Sequence, residues 1–289
     1  MSTPPMVVVT APAKVNFTLQ IERPRPDGFH DLVSWVVPLD LSDELRVSLA
    51  DAPGVRLRSD HADLPTDERN LVVRAARRLA AAAGVEPALD ISLRKRVPIG
   101  AGLGGGSSDA AATLTALAQL WRLDWSRERL ASIAAEIGSD VPLFLWNSSC
   151  VIRGRGERVE PVAAPKIVRI ALVIPPFGML TAAVYAALRP EDYGQPRPQP
   201  ADLLDLSARE LAPRLFNDLE PPAFRVDPRL ADLHRRLSQD ARVPVRLSGS
   251  GSSLFAIFDD AIAADAWRAE CQRRLDGDVR TLSCGLRTT

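Results

Sequence analysis

The sequence predicts an α+β protein, and three observations carry that prediction. Short alternating segments come first: Met6 to Thr10, Val15 to Ile21 and Leu32 to Val37 read as strands, and Leu45, Val47 and Leu49, then Val55 and Leu57, alternate with polar neighbours as half-exposed strands do. Apolar residues at spacings of three and four follow, predicting helices over about Leu71 to Ala83, Ser108 to Trp121 and Ser126 to Ile137, with a strand over Leu89 to Arg94 among them. A second region repeats the mixture. It opens on the apolar run Val168 to Ile174 and continues with helices near Thr181 to Leu188, Leu230 to Gln239 and Ile262 to Leu275, and strands near Val245 to Leu247, Leu254 to Phe258 and Asp278 to Leu282. Arg189 to Asp202 holds four prolines and reads as an extended loop.

Composition bounds the function classes. A chain of 289 residues with 46% hydrophobic content can build one large or two ordinary domains. Lys plus Arg and Asp plus Glu both number 36, and this zero formal charge gives no electrostatic reason to expect nucleic acid or an anionic membrane as partner. Cys150, Cys271 and Cys284 have no metal-ligand spacing and suggest reduced thiols rather than a disulfide framework. No apolar run approaches a membrane span and Met1 to Thr10 lacks a signal-peptide pattern, so a cytoplasmic protein is expected.

The chemistry-bearing feature is Val97 to Ala111, where five glycines in the seven residues Gly100 to Gly106 run into a helix. Glycines let backbone N–H groups approach an anion, and the unpaired N–H groups of a helix's first turn favour negative charge. A flexible linker would not join a strand to a patterned helix so tightly. The spacing Gly100, Gly102, Gly105 matches the dinucleotide fingerprint, but no acidic residue ends a strand about 20 residues on, since Asp124 sits between two helical patterns. No lysine follows the glycines as in a Walker A loop, and a helix rather than a lysine-bearing strand comes next, unlike a protein-kinase glycine loop. Ser107 or Ser108 is expected to cap the helix.

Pro98 to Ala111 instead resembles the phosphate loop of the GHMP small-molecule kinases. The longer Gly-Leu-Gly-Gly-Gly-Ser-Ser-Asp-Ala-Ala form is similar to the branch acting on 4-diphosphocytidyl-2-C-methyl-D-erythritol. The resemblance extends along nearly the whole chain. Ala11 to Asn16 with Asp27 to His30, Asp67 to Val72, Lys95, Gly138 to Phe144, Asn217 to Glu220 and Leu247 to Ser253 resemble further motifs in the correct order.

The resemblance implies a two-lobed fold, with an N-terminal α/β nucleotide-binding domain over 1–163 and a C-terminal α/β sandwich domain over 164–289. It implies ATP and Mg²⁺ as cofactors and a small-molecule substrate, with no nucleic acid or membrane partner, in a monomer or weak homodimer. Asp140 is implied to accept or orient the substrate hydroxyl, and Lys14 to supply the cation that keeps it ionised. Asn70, Leu71, Lys95, Pro98, Gly100, Gly102, Leu103, Gly104, Gly105, Gly106, Ser107 and Ser108 fall on ATP-side positions. Asn16, Phe29, His30, Thr181, Tyr185, Gly249, Ser250 and Gly251 fall on substrate-side positions. No magnesium ligand is assigned, with Ser107 or Ser108 the nearest candidates.

Phosphoryl transfer needs a phosphate cradle, an oriented alcohol and positive charge where negative charge builds. The resemblance implies transfer to the 2-hydroxyl of the cytidine substrate, in non-mevalonate isoprenoid synthesis. Phe29 would stack on the pyrimidine, His30 would bond its edge and Tyr185 would close the opposite face, so flat neutral aromatic contacts are expected rather than large charged patches. Another GHMP kinase, acting on homoserine or a mevalonate-type alcohol, would lack a use for Phe29 and His30. A silent nucleotide-binding member would need neither Lys14 nor Asp140. Val33, Ser34 and Trp35 depart from the family pattern and suggest a reshaped lip beyond the base site. Asp109 is expected to point away from the phosphates, and His61 and His234 to lie on the surface.

Overall fold

The structure is a computed structural model and describes residues 5–167, 169–239, 243–275 and 277–287. Val168, placed by the sequence at the start of a strand, lies outside the described residues. The strands are β1 (Met6–Pro24), β2 (His30–Leu49), β3 (Gly54–Ser59), β4 (Ala88–Arg94), β5 (Cys150–Gly154), β6 (Arg158–Pro161), β7 (Arg169–Ile174), β8 (Phe216–Asn217), β9 (Arg246–Leu247), β10 (Leu254–Phe258) and β11 (Arg280–Cys284). The helices are α1 (Leu71–Ala83), α2 (Gly105–Leu120), α3 (Arg127–Ile137), α4 (Thr181–Ala186), α5 (Ala208–Leu211), α6 (Glu220–Val226), α7 (Pro228–Leu237) and α8 (Ala261–Arg274). The mixture is α+β, as the sequence predicts.

Two compact units divide the chain: Met1–Ala13, Leu41–Val97 and Gly104–Asn147 form the first, and Lys14–Asp40, Pro98–Leu103 and Ser148–Thr289 the second. Neither unit is one stretch of sequence, because β1 and β2 are long strands that each give one half to either unit. The sequence splits both strands into shorter pieces. Pro12 reads as a break, yet β1 runs through it, and the polar residues at 42–44 interrupt the apolar pattern without interrupting β2.

In the first unit, β3 pairs in parallel with β4 and β4 pairs antiparallel with β2, in the register Leu45↔Leu93 and Val47↔Ile91. These inward residues are buried, as are Val72, Ala75, Ala76 and Leu79 of α1 and Leu114 and Leu117 of α2. The sequence periodicity therefore marks the faces that pack. Asn70 N-caps α1 by accepting a hydrogen bond from the Val72 N–H, and Ser126 N-caps α3 through the Arg129 N–H.

In the second unit, β2 pairs with β5 and β5 with β6, a hairpin the sequence does not announce because its strands are only five and four residues long. A separate antiparallel sheet has the order β11-β7-β10-β9. Trp35 belongs to the core rather than to a lip. It is fully buried, packs edge-on to Phe17 at 5.2 Å between ring centroids, and donates its indole N–H to the Ser149 hydroxyl at 2.7 Å. Phe17 in turn stacks on Phe255 at 5.9 Å. His234 is half-buried, with a ring nitrogen bonded to the Val245 carbonyl and its ring against Phe224. The surface expectation holds only for His61, which is exposed. No helix among the described residues is long and apolar enough to cross a membrane.

Candidate active site

Lys14 anchors the site in the second unit. Its ammonium donates to the Asn16 side-chain oxygen at 2.7 Å and to the Gly102 carbonyl at 2.9 Å, while its backbone N–H donates to the Leu103 carbonyl. A Cβ on Gly249 would lie 3.1 Å from the same ammonium and 3.3 Å from the Asn16 oxygen. Three motifs far apart in sequence, around Lys14, Gly102 and Gly249, thus meet at one buried cation. Asn16 is oriented in turn by donating to the Ser34 hydroxyl at 2.8 Å, and that hydroxyl donates to the Thr18 carbonyl. Ser34 is a positioning residue that the sequence reading treats only as a departure from the family pattern; its place on alternating β2 is the signal that could have found it.

The Ser248 to Ser253 segment is built around close backbone approach. The Asn217 amide donates to the carbonyls of Leu247 and Gly249 at 2.8 and 2.7 Å, and Glu220 accepts the Leu247 N–H. Ser248 donates to the Gly102 carbonyl, and Ser253 N–H donates to the Ala101 carbonyl. Thr181 and Ser250 share a hydroxyl–hydroxyl bond of 2.9 Å, and Gly251 leaves 3.3 Å between a would-be Cβ and Met179. The Pro98–Leu103 half of the glycine loop is tied to the same unit through the Met179 N–H, which donates to the Gly100 carbonyl.

The other half of the loop begins α2 in the first unit. Gly104, in the left-handed region at φ 73°, is the N-cap, and no side chain caps the helix. Capping by Ser107 or Ser108 is therefore incorrect: α2 starts at Gly105, so both serines lie inside its first turn, and the Ser108 N–H already bonds the Gly104 carbonyl. First-turn N–H groups left without a side-chain cap suit an anion. Glycine is needed here for space as well, since a Cβ on Gly105 would lie 3.0 Å from Val97 and 3.3 Å from the Lys95 ammonium. The Ser108 hydroxyl is buried with no hydrogen-bond partner.

Lys95 is held by two carboxylates, Asp43 at 2.5 Å and Asp109 at 2.8 Å, all three side chains being nearly inaccessible. Asp109 points into this cluster. Asp43 also accepts the Arg96 and Val97 N–H groups, so the cluster fixes the segment entering the glycine loop to α2. Burial works against the Lys95 ammonium, but the charges of Asp109 and Asp43 outweigh it and keep its pKa above the ordinary lysine value. Burial pushes the Asp109 carboxyl up to about 7, against the pull of Lys95. The folded protein holds this proton where an unfolded aspartate, with its ordinary pKa of about 4, releases it. The stability it contributes is full below about pH 4 and is lost as pH rises towards 7. The unfolding free energy should therefore fall more steeply over that window in the native protein than in Asp109→Asn, measured by urea titration; parallel pH profiles would contradict this.

Asp140 sits in the turn between α3 and a 3-10 turn at Pro142–Leu145, half-buried. The backbone closes without its help, through the Val141 N–H and the Gly138 carbonyl, and its carboxylate has no hydrogen-bonding or ionic partner among the described residues. It is neither a cap nor one arm of a structural ion pair. Asn70, by contrast, is fully committed: its amide donates to the Pro65 carbonyl while its oxygen caps α1. Leu71 lies next to Gly106, 3.8 Å from a would-be Cβ.

The base-side residues cluster in the second unit. Phe29 is 46% exposed at the end of a turn held by Asp27, which accepts the Phe29 N–H, and by ion pairs of Arg25 with Asp27 and Asp31. His30 lies 5.5 Å from Tyr185 and 6.4 Å from Tyr193 between ring centroids, and its buried Nδ1 has no partner. Burial pushes the His30 pKa below its ordinary value, so a neutral imidazole stands there at pH 7. Tyr193 lies in the segment read as an extended loop, where Asp192 pairs with Arg225 and caps the Arg189 N–H. A charged group also stands here that the sequence reading does not include: Arg155 lies over the Phe29 ring. Only its setting between Gly154 and Gly156 could have marked it in the sequence.

Comparison with known proteins places the chain in a family. The sequence profiles described as GHMP kinases N terminal domain and GHMP kinases C terminal match residues 70–148 and 200–276. A 4-diphosphocytidyl-2-C-methyl-D-erythritol kinase from Pelotomaculum thermopropionicum is 36% identical over 275 residues, covering 93% of this chain and 94% of that protein. A crystal structure of 4-(cytidine 5'-diphospho)-2C-methyl-D-erythritol kinase superposes with a TM-score of 0.81 at 35% identity, over 98% of this chain and all of that one. The homoserine kinase of Cytophaga hutchinsonii, with a TM-score of 0.75 but 22% identity over 99% of this chain and 96% of its own, shares the fold. The chain belongs to the GHMP kinases and, within them, to the family of the 4-diphosphocytidyl-2-C-methyl-D-erythritol kinases.

Proposed function

We propose that the protein transfers the γ-phosphoryl group of ATP to the 2-hydroxyl of 4-diphosphocytidyl-2-C-methyl-D-erythritol, a step of non-mevalonate isoprenoid synthesis. The observation that carries the reading is the meeting of Lys14, Asn16, Gly102 and Gly249 at one buried ammonium, with Phe29, His30 and Tyr185 supplying a base site in the same unit. The sequence domains are taken as 1–163 and 164–289.

The uncapped start of α2 fits a nucleotide phosphate, and ATP supplies the transferable phosphoryl group there. Gly100 to Gly106 offer backbone N–H groups, Ser107 and Ser108 offer hydroxyls, and Asn70 and Leu71 mark the adenine side. Mg²⁺ would enter on the nucleotide phosphates, with the unpartnered Ser108 hydroxyl as the protein group nearest to hand. Among the described residues no group of three or more carboxylate, histidine or cysteine side chains forms a metal cage, which fits an ion held chiefly by its substrate.

Asp140 orients the acceptor hydroxyl and takes its proton, since its carboxylate is committed to nothing else among the described residues. Lys14 supplies positive charge to the transferring group, with its ammonium aimed by Asn16 and Gly102. Lys95 holds the loop rather than a phosphate, because both neighbouring carboxylates already claim it. Neutral His30 can hydrogen-bond the edge of a pyrimidine through its unpartnered nitrogen. The test is ADP release with ATP and Mg²⁺ against three acceptors: the cytidine substrate, homoserine and mevalonate. Turnover on the first alone is expected; turnover on either of the others alone would overturn the reading.

A further inference from the structure

We infer that Arg155 is a substrate-binding residue that takes the diphosphate of a cytidine diphosphate ligand while its guanidinium backs the Phe29 ring. This rests on the cytidine-substrate reading above and adds to it an anion contact outside the glycine loop.

Three observations converge on Arg155. First, it occupies the turn between β5 and β6, where Gly154 and Gly156 take positive φ values of 72° and 116° and the Arg155 N–H is fixed on the Glu157 carboxylate at 2.6 Å. The hydrogen bond holds the backbone of the turn at this point. Second, its guanidinium carbon lies 4.8 Å from the Phe29 ring centroid, although Phe29 is 126 positions earlier in sequence and otherwise half-exposed. Third, Arg155 is half-buried and its guanidinium has no hydrogen-bond or ion-pair partner among the described residues, while Arg25 is claimed by Asp27 and Asp31, Arg23 by Asp31, and Arg158 by Glu157.

An arginine carries five N–H donors in a planar fork that matches phosphate oxygens, and a cation over an aromatic face leaves those edge donors available. A nucleotide places its phosphates a few bonds from its base. A base stacked on the remaining face of Phe29 would therefore carry a diphosphate past the edge of the same ring. Asp27 feels the Arg155 charge, its carboxyl being held below its ordinary range first by hydrogen bonding to Arg25 and, among weaker causes, by Arg155. Asp27 already has its own arginine, so Arg155 is not its structural counter-ion.

Affinities of cytidine and cytidine 5'-diphosphate measured by calorimetry, on native protein and on Arg155→Lys and Arg155→Ala, separate the possibilities. Loss of a charge-assisted bidentate contact should weaken the diphosphate by about tenfold or more in Arg155→Ala. Cytidine should weaken by less than about threefold, which is what loss of an exposed cation–π contact allows. Arg155→Lys, keeping the charge but not the fork, should fall between them. An unchanged diphosphate affinity, or an equal loss for both ligands, would overturn the inference and leave Arg155 as a support for Phe29. Thermal melting of each variant verifies folding, and Arg155→Lys serves if the alanine variant does not fold. Failure of the native protein to bind cytidine 5'-diphosphate would instead overturn the substrate reading itself.

Discussion

Asp140→Asn is expected to lower turnover by roughly 10²- to 10⁴-fold, the range that general-base groups contribute, while ATP affinity and thermal stability stay near native values. The physical case is that the carboxylate is expendable to the fold. The Gly138–Val141 turn closes by backbone bonding, Pro142 sets the following 3-10 turn, and no donor among the described residues relies on the side chain. Asparagine keeps its size and can still orient a hydroxyl, but it cannot take a proton. Steady-state ADP release, with nucleotide binding measured separately, decides the matter. Turnover within tenfold of native would remove Asp140 from the chemistry, and a loss of stability would show that the residue has a structural duty after all.

Gly102→Ala is expected to be a severely damaging single-methyl addition. A Cβ there would sit 2.4 Å from the Ser248 carbonyl oxygen and 2.7 Å from that of Gly251, both backbone atoms with no rotamer to escape through. Gly102 also takes φ +75° and gives its carbonyl to the Lys14 ammonium. The clash and the strained conformation together should cost about 3 kcal/mol or more, and the shifted carbonyl should disturb Lys14 as well. Gly28→Ala separates the two causes. Gly28 has φ +83° with nothing within 4 Å of its would-be Cβ, so it should lose only about 1 kcal/mol, from backbone conformation alone. Urea titration of both variants checks this, and equal losses would contradict the packing argument.

Much of this arrangement was legible in the sequence where local pattern decides structure. Helix α1 is found because Val72, Ala75, Ala76 and Leu79 repeat on one face and Asn70 caps it. The glycine loop is legible because glycine runs have few other uses between a strand and a helix. Other features depend on distant partners, which one sequence does not reveal. Pro12 is a break by local rules, but β1 carries it within a long strand. Ser108 looks like a cap until Gly104 in a left-handed conformation starts the helix earlier. Lys95 shows in the sequence only its place before the glycine loop, and its ion pairs with Asp43, 52 positions away, and with Asp109 appear only in the fold. Arg155 is marked in the sequence only by the flanking Gly154 and Gly156, since its contact is with a ring that precedes β2, the strand paired with β5.

The central claim, phosphoryl transfer to the 2-hydroxyl of the cytidine substrate, is tested most directly by the ³¹P spectrum of the reaction product. That hydroxyl is on a tertiary carbon with no hydrogen of its own, so its phosphomonoester should give a resonance without three-bond proton splitting, beside an intact diphosphate pair and stoichiometric ADP. A phosphomonoester split by adjacent CH₂ protons, or ADP formed with no new phosphomonoester on the cytidine compound, would contradict the account.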